Sequence, residues 1–575
     1  MTGIAELPPA LWMALAAVLM VVLPKAARAG VAVVVPLVAL ALLTRLEPGT
    51  YLTAGLAGFE LVLFEVTKLN FVFGVIFLLI SAVAAIYAWH LDDRTQQVAA
   101  LLYGAGAVGV TFAGDFLSLL IFWELMAVAS AWLVFARKTD DSVRAGFRYL
   151  MVHFAGGSLL LGGIILHHAQ TGSLELTALS PEQGLPAWLI LLGVAVNVAL
   201  PPLHAWLPDA YPRATVTGAI FMSALTTKSA VYVLLVLFAG WDLLIYAGVA
   251  MALYGVVYAV LANDIRQILA YHIISQVGYM VAGVGIGTAL SMNGAAAHAY
   301  SHILYKALLF MGAGAVIQAT GKSKLTELGG LARRMKWVLV LFMIGAFSIS
   351  GFPLFNGFIS KSMIVSAAGK AHLDGVMLLL LLASVGTFLH TGLKIPVFTF
   401  WGQDRKLETR PIPRNMYVAM GILAFLCTLY GVAPGLLYSM LPFEAEYHPY
   451  TAYHLVETVP LLTFTFIGFW VLREKLAGEP YLAVDTDWFY RRSAPWADRL
   501  LVGPVNACFA AGAALRGRVV AFVERIWGNP RAWFRPGRGA SETFDPDAER
   551  KPLAWSLAAI LFFSVVLSLL LYFGR

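Results

Sequence analysis

Charged side chains are scarce in this chain. Asp, Glu, Lys and Arg together make up 12% of its 575 residues, while apolar types reach 60%. A soluble domain carries about 25% charged residues, so a water-soluble fold is excluded for most of the sequence. Apolar stretches of about 20 residues, each long enough to cross a hydrocarbon core of ~30 Å, recur almost from end to end. Lipid is therefore the expected solvent.

Cysteine is almost absent, with only Cys427 and Cys508. This excludes a disulfide framework and a cysteine-ligated iron–sulfur cluster supplied by this chain alone. The sequence also lacks a phosphate-binding P-loop and a dinucleotide fingerprint set in a βαβ unit. No cofactor and no catalytic residue is expected, and the chain alone is not expected to be an enzyme. The net charge of +7 is ordinary for a membrane protein with basic cytoplasmic loops and requires no nucleic acid.

About sixteen membrane spans are predicted. They lie at residues 8–24, 29–45, 71–90, 97–114, 115–136, 146–168, 187–208, 214–239, 243–262, 267–288, 293–318, 337–366, 375–401, 415–440, 456–473 and 553–573. The first has no basic flank and no small-residue cleavage site, so it is interpreted as a retained helix. Lys and Arg concentrate in the loops after odd-numbered spans, which places those loops in the cytoplasm and the N-terminus outside.

Two of the spans contain helix breakers. The seventh is interrupted by proline near 197–204, and the twelfth by glycine and proline near 350–361. Such interruptions five spans apart indicate two five-helix repeats of inverted topology. The predicted fold is an all-α polytopic membrane protein with about 14 core helices and about two C-terminal ones. Its predicted divisions are 1–96 (helices 1–3), 97–240 and 241–402 (the repeats), 403–473 (helices 14–15), 474–552 and 553–575 (the last helix).

The segment 474–552 is polar and rich in arginine. Apolar and basic residues alternate at helical spacing over 496–527, with an interruption near Gly503 and Pro504. This pattern predicts an amphipathic helix along the cytoplasmic surface. A basic tether to the last span is the alternative.

Ionisable residues inside the apolar spans are the main indication of function. Each costs about 2.5–3.5 kcal/mol at a helix centre on insertion scales. A single one could be an accident of packing, but a series along the chain indicates a route for ions or protons. This density of buried charge argues against a purely structural scaffold. The residues of the predicted route are Glu124, Lys228, His298, His302, Lys306, Lys361 and Lys394.

Each of these residues also has a structural interpretation. Glu124 could hydrogen-bond a helix terminus instead of loading protons, whereas Lys228 lies too deep in its span to reach the surface. Lys361 could cap a broken helix, and Lys394 could extend to the membrane surface.

His298, His302 and Lys306 recur at every fourth position, which makes a stripe about 12 Å long on one helix face. Because histidine titrates near neutral pH, the stripe could relay protons; satisfied structural histidines are the alternative. No carboxylate or cysteine stands at a suitable spacing for zinc, so no metal is expected. The secondary candidates are Asn197, His204, His272 and His390.

Several motifs resemble those of the antiporter-like subunits shared by respiratory complex I and the Mrp sodium/proton antiporters. Phe-Trp-Glu-Leu-Met around Glu124 is similar to the fifth-helix glutamate motif, and Pro-Leu-His-Ala-Trp-Leu-Pro-Asp-Ala at 202–210 to the signature between helices 7 and 8. Leu-Thr-Thr-Lys-Ser-Ala-Val-Tyr places the central lysine at Lys228. The stripe of His298, His302 and Lys306 and Gly-Phe-Ile-Ser-Lys at 357–361 complete the resemblance, which covers about residues 70–440.

The resemblance implies a proton path along a hydrated axis of lysine and histidine, in a subunit that works only inside a larger complex. One position departs from the family. The usual lysine nine residues before Trp206 is replaced by Asn197. Either Lys228 or His204 then partners Glu124, or Glu124 stays protonated. The C-terminal layout resembles the largest type of such subunit with a shorter lateral helix, and the central motifs resemble the D-type Mrp protein.

The leading functional hypothesis is a proton-translocating subunit of a multisubunit Na⁺/H⁺ antiporter in a bacterial inner membrane. Its expected partners are other membrane subunits, protons, sodium as the exchanged cation, and the lipid bilayer. The alternative is the pump module of a redox complex, such as a complex I-like NADH:quinone oxidoreductase or a membrane-bound hydrogenase. A third hypothesis is an energy-coupling subunit for uptake of inorganic carbon.

Overall fold

Every predicted span corresponds to a helix in the computed structural model, which describes residues 6–56, 58–444, 446–477, 484–528 and 553–573. The polytopic helical architecture is therefore confirmed. The helices are α1 (Pro9–Met20), α2 (Lys25–Leu43), α3 (Lys68–Tyr87), α4 (Arg94–Phe112), α5 (Phe116–Phe135), α6 (Asp140–Thr171), α7 (Leu185–Val198), α8 (Trp206–Ala210), α9 (Gly218–Ala224), α10 (Thr226–Leu237), α11 (Asp242–Leu261), α12 (Ile265–Ile286), α13 (Ala289–Thr320), α14 (Lys336–Ser350), α15 (Asn356–Lys370), α16 (Asp374–Thr387), α17 (Arg414–Val432), α18 (Gly435–Tyr438), α19 (Ala452–Leu472), α20 (Asp487–Ala497), α21 (Gly503–Gly528) and α22 (Leu553–Phe573).

A β-hairpin adds to the predicted helices. Strand β1 (Gly49–Leu56) pairs antiparallel with β2 (Phe59–Val66) in the connection between α2 and α3. The Asp115 carboxylate caps the start of α5 and also accepts a hydrogen bond from the Val62 backbone N–H at 2.7 Å. The hairpin is thereby joined to the bundle. Its strands were too short and too polar to be counted as spans.

Both predicted helix breaks are present. After α7 the chain turns at Ala199, which has a φ of 62°, and α8 begins at Trp206. After α14 it turns at Gly351, with a φ of 77°, and α15 begins at Asn356. Proline cannot donate to the helical ladder, so both sites leave carbonyl groups free to bind side chains.

Two further irregularities were not predicted. The eighth span divides at Leu225 into α9 and α10. The thirteenth continues beyond α16 as π-helical turns at Phe388–Lys394 and Val397–Trp401. Single π-turns inside helices often accompany functional side chains, and these turns carry His390 and Lys394.

Close contact between α11 and α12 stabilises the centre of the bundle. A β-carbon on Gly255 would lie 2.5 Å from the Ser275 backbone nitrogen, and one on Gly278 would lie 2.5 Å from that of Ala252. Only glycine allows the two backbones to approach this closely. As a result α12 is buried on nearly every side, and α13 packs beside it with its histidine and lysine stripe enclosed.

The molecule divides into two compact units, residues 1–487 and 488–575. In the second unit the predicted helix is present, but the expected interruption near Gly503 and Pro504 is instead a π-helical stretch, Asp498–Val502, between α20 and α21. Parts of the predicted polar segment, 478–483 and 529–552, lie outside the described residues. By length and composition, twelve helical stretches of the described chain could cross a membrane, and Asp487–Trp527 is among them.

Candidate functional site

The central lysine, Lys228, is fully enclosed on α10. Its ammonium donates to the Ser223 carbonyl at 2.6 Å and to the Thr227 hydroxyl at 3.0 Å. The carbonyl is free because the helix divides at Leu225, so the unpredicted break supplies the lysine with a partner. Lys228 also lies within electrostatic range of His302 and Lys306.

The stripe on α13 is buried along its whole length. His298 Nδ1 lies 3.0 Å from the Ser360 hydroxyl, and its other nitrogen is 3.5 Å from the Tyr305 hydroxyl. Within the described chain, the two ring nitrogens of His302 have no protein partner, and the Lys306 ammonium has none either. Buried polar groups are nearly always hydrogen-bonded, so these atoms mark a place where water is needed.

Lys361 lies one turn into α15, beyond the second predicted break. Its ammonium donates to the Ile349 carbonyl at 2.9 Å and the Ser384 hydroxyl at 3.3 Å, and it lies 5.2 Å from the Tyr279 ring centre. The lysine thus caps the C-terminal end of α14, which was its structural interpretation. The same position brings it within electrostatic range of His298.

Lys394 is enclosed and does not extend to the surface. It donates to the Val260 carbonyl at 2.7 Å and is 3.4 Å from the Ala262 carbonyl, both where α11 ends. One turn earlier His390 faces His272 on α12, with ring centres 5.4 Å apart. All four nitrogens of these two rings lack a protein partner among the described residues.

The first half of the site differs from its expected arrangement. Glu124 is half-buried on α5 against Gly157 of α6. Neither expected partner reaches it, because Lys228 donates to Ser223 and Thr227, and His204 contacts Asp485. At the position of the family lysine, the side-chain oxygen of Asn197 lies 2.7 Å from His153 Nδ1.

His204 has a partner that sequence reasoning did not find. Its Nε2 lies 3.1 Å from Asp485, 281 residues further along the chain. Tyr254 and Tyr271 donate to the same carboxylate at 2.5 and 2.7 Å. No sequence signal joins these positions, since only the fold brings them together.

Two cavities are lined in part by residues of α15. A small one of about 30 Å³ is lined by Lys361, Ser384 and Glu457. A larger one of about 540 Å³ is lined by Lys370, His454 and again Glu457. Glu457, on α19, was not predicted as a site residue, yet it lines both cavities.

Metal binding finds no support within the described residues, where no group of three or more His, Cys, Asp or Glu side chains could hold an ion. The enclosed groups and the partly buried Glu457 instead form a series: Lys394, His390 and His272 on one side, Lys306, His302 and Lys228 in the centre, then His298, Lys361 and Glu457. Each member has titratable nitrogen or oxygen atoms, which is the chemistry that proton binding and release require.

The chain resembles known proteins in sequence. The family model described as NADH:quinone oxidoreductase/Mrp antiporter, TM, matches residues 113–389. The chain is 31% identical to an uncharacterised protein of Methanocaldococcus jannaschii over 61% of this chain and 77% of that one. It is 33% identical to the D-type protein of the Na⁺/H⁺ antiporter of Alkalihalophilus pseudofirmus (53% and 65%) and 32% identical to hydrogenase-4 component B of Escherichia coli (57% and 56%).

Solved structures have the same fold. A chain of the membrane-bound sulfane sulfur reductase, an archaeal respiratory complex, superposes with a TM-score of 0.70 at 25% identity, over 98% of this chain and 100% of that one. A chain of the Mrp complex from Dietzia sp. gives 0.66 at 20% identity, over 81% and 98%. The chain belongs to the NADH:quinone oxidoreductase/Mrp antiporter family of membrane subunits. It is an antiporter-like, proton-translocating type of subunit, and its structural neighbours come from multisubunit membrane complexes.

Proposed function

We propose that this chain conducts protons as a subunit of a multisubunit Na⁺/H⁺ antiporter, along the buried series of lysine, histidine and glutamate side chains. The observation that carries this proposal is the group of enclosed nitrogens without protein partners, among the described residues, on His272, His302, Lys306 and His390. Leaving such atoms unsatisfied costs about 1–3 kcal/mol each, and more for a charge. A hydrated path for protons supplies the missing partners.

The route runs through the second half of the bundle. By the positive-inside rule, the turn between α11 and α12 is cytoplasmic, so Lys394 marks the cytoplasmic end. Protons pass from there through His390 and His272 to the central group. Lys228 adjoins that centre and links the route to Glu124 in the first half, where Asn197 replaces a cation.

The outer end of the route is Lys361 and Glu457. The small cavity that both line has a volume of about 30 Å³, which is enough for a water molecule, since one needs roughly 10–15 Å³ of such volume. From Glu457 the larger cavity continues to the loop that holds Glu446 and His448. By the positive-inside rule this loop lies outside, as does the N-terminus. The membrane of the proposal is a bacterial inner membrane.

The repeat organisation supports this route. Residues 97–240 and 241–402 form two inverted five-helix repeats, and Lys228 and Lys394 take related places in them. Residues 1–96, 403–473, 474–552 and 553–575 form the flanking parts. The larger described part of the basic segment, residues 484–528, lies along the cytoplasmic surface and contacts neighbouring subunits.

Proton flux measured with the assembled complex in vesicles tests the proposal. The wild type is expected to move protons in response to a Na⁺ gradient, and Lys228→Ala and Glu124→Gln are expected to abolish or strongly reduce this flux. The surface variant Lys322→Gln, whose pair with Glu327 is exposed, serves as the control. Unchanged flux in both buried-site variants would overturn the route.

A redox-driven pump is the second candidate. It is favoured by the superposition on the sulfane sulfur reductase chain over nearly the whole length of both chains. The set of proteins in the purified complex decides between the two, because the redox chemistry would reside on partners. Iron–sulfur or nickel proteins in that complex would favour the pump, and their absence together with Na⁺-dependent flux would favour the antiporter.

A further inference from the structure

A short segment that follows the fifteenth span is built into the break between α7 and α8. Tyr258 donates to the Val484 carbonyl at 3.1 Å, and the Thr486 hydroxyl donates to the Pro202 carbonyl at 3.1 Å. Between these two anchors, Asp485 is 8% exposed and contacts His204. Hydrogen bonds on both sides therefore fix the carboxylate in place.

The contacts of Asp485 define its charge. Burial alone would raise its pKa, but hydrogen bonds from His204, Tyr254 and Tyr271 and the attraction of the His204 ring outweigh burial and bring the pKa of Asp485 to about 2. The carboxylate is thus ionised throughout the physiological range. An ionised carboxylate can only accept hydrogen bonds, so the facing His204 Nε2 must carry a proton.

When the His204 ring is neutral, its Nδ1 is then the acceptor nitrogen. His204 is fully enclosed, and its Nδ1 has no protein partner in the described chain. Two more enclosed polar atoms lacking such partners, Asn197 Nδ2 and His153 Nε2, lie at the same break. An oriented imidazole beside a break in a membrane helix is suited to receive a proton.

We propose that Asp485 is a positioning residue for proton transfer at His204. It fixes the ring with a proton on Nε2 and leaves the Nδ1 lone pair of the neutral ring to bind one proton from a hydronium ion, which becomes water. The carboxylate balances the resulting imidazolium, and the ring becomes neutral again when the Nδ1 proton passes to the next water, which becomes hydronium. This role rests on the proposed function, and it makes the 484–487 segment part of the conducting site in the first half, where Asn197 contributes no cation.

Other titratable groups face this pair and are kept unchanged in the test. Tyr254 stacks edge-on against His204, with ring centres 4.6 Å apart, and Tyr258 stacks on Tyr254. Tyr271 approaches the carboxylate from α12, and Asp487 lies within electrostatic range of Tyr271.

The test measures proton flux against pH in vesicles containing the whole complex with Asp485→Asn. This change keeps the shape of the side chain but removes the negative charge that balances the imidazolium. We therefore expect flux at pH 7 to fall about tenfold and the profile to move at least about one unit towards acid. Asp485→Glu should restore much of the flux. Asp498→Asn, an exposed carboxylate change in the second unit, should match the wild type.

Two additional variants distinguish the effect of losing the Asp485 charge from the effect of losing a hydrogen bond that holds the segment in place. Thr486→Val removes an anchor but keeps the carboxylate, so its profile should stay at the wild-type pH. His204→Gln should reduce flux, and adding Asp485→Asn to it should reduce flux no further. A wild-type profile in Asp485→Asn, or a Thr486→Val profile identical to that of Asp485→Asn, would overturn the proposal. Failure of the proposed function itself would be recognised separately, because the wild-type complex would then show no proton flux.

Discussion

At the scale of residues, the buried lysines fall into two kinds. Lys228, Lys361 and Lys394 each donate to a backbone carbonyl at a helix end or break. Lys306 is equally enclosed but has no protein partner within the described residues. Lysines of the first kind cap a helix end or break and also belong to the series. Stability does not explain the position of Lys306, since burying an unpaired amine is unfavourable.

Lys306→Met should therefore increase stability while it removes flux. Replacing an unsatisfied buried amine by an apolar chain of similar length should add about 1–3 kcal/mol. Lys361→Met is the matched control, since it strips the Ile349 carbonyl of its donor and should not stabilise. Thermal unfolding of the two variants in detergent provides the measurement. A Lys306→Met variant that is less stable than the wild type would show that the amine has a structural role.

At the scale of elements, breaks and close helix contacts organise the site. The break at Leu225 frees the carbonyl that holds Lys228, and the end of α14 provides the carbonyl that holds Lys361. The close approach of α11 and α12 brings Tyr254 and Tyr271 to the same carboxylate. Each arrangement depends on a local departure from regular helix or on a small residue.

The helix contact can be tested with a pair of glycine variants. Gly278→Ala puts a methyl group 2.5 Å from the Ala252 backbone nitrogen, so α11 and α12 must separate. A loss of about 1–3 kcal/mol is expected from such overpacking. Gly421→Ala on α17 meets nothing within 4 Å and should be neutral or slightly stabilising, because alanine favours helix. Equal unfolding temperatures for the two variants would contradict the contact.

Hydrophobic spacing was sufficient to predict the helices and the two proline-containing breaks, because length and breaker residues decide both. The hairpin was missed because each strand is too short to span lipid. The break at Leu225 was missed because Ala-Leu-Thr-Thr contains neither glycine nor proline, so tertiary contacts such as that of Tyr103 with Thr226 determine it. The sequence indicated the deeply placed charged residues of the candidate site one by one. It did not indicate Glu457 or Asp485, because neither belongs to a motif. Only the fold places Glu457 in one cavity with Lys361 and Asp485 against His204.

At the scale of the whole molecule, the direction of the proposed proton route depends on which face of the membrane each loop occupies. The two native cysteines can report this orientation without an introduced labelling site. Cys508 on α21 is exposed, whereas Cys427 on α17 is enclosed. An exposed thiol reacts with a maleimide, and an enclosed one reacts slowly or not at all.

With a membrane-impermeant maleimide, we expect labelling of Cys508 in inverted vesicles and none in intact right-side-out vesicles. Such a result would follow from a cytoplasmic position of the basic segment. Cys508→Ser should abolish the signal and thereby assign it. Labelling only from the outer face would reverse the proposed topology, and with it the direction of the route from Lys394 to Glu457.

The measurement that tests the central claim most directly is Na⁺-driven proton flux through the complex carrying Lys306→Gln, compared with Lys322→Gln at the surface. Both variants remove one lysine charge, but only Lys306 lies in the buried series. We expect flux to fall at least about tenfold in Lys306→Gln, since one tenfold step corresponds to ~1.4 kcal/mol of barrier, and to stay unchanged in Lys322→Gln. Wild-type flux in an assembled Lys306→Gln complex would contradict proton conduction along this series.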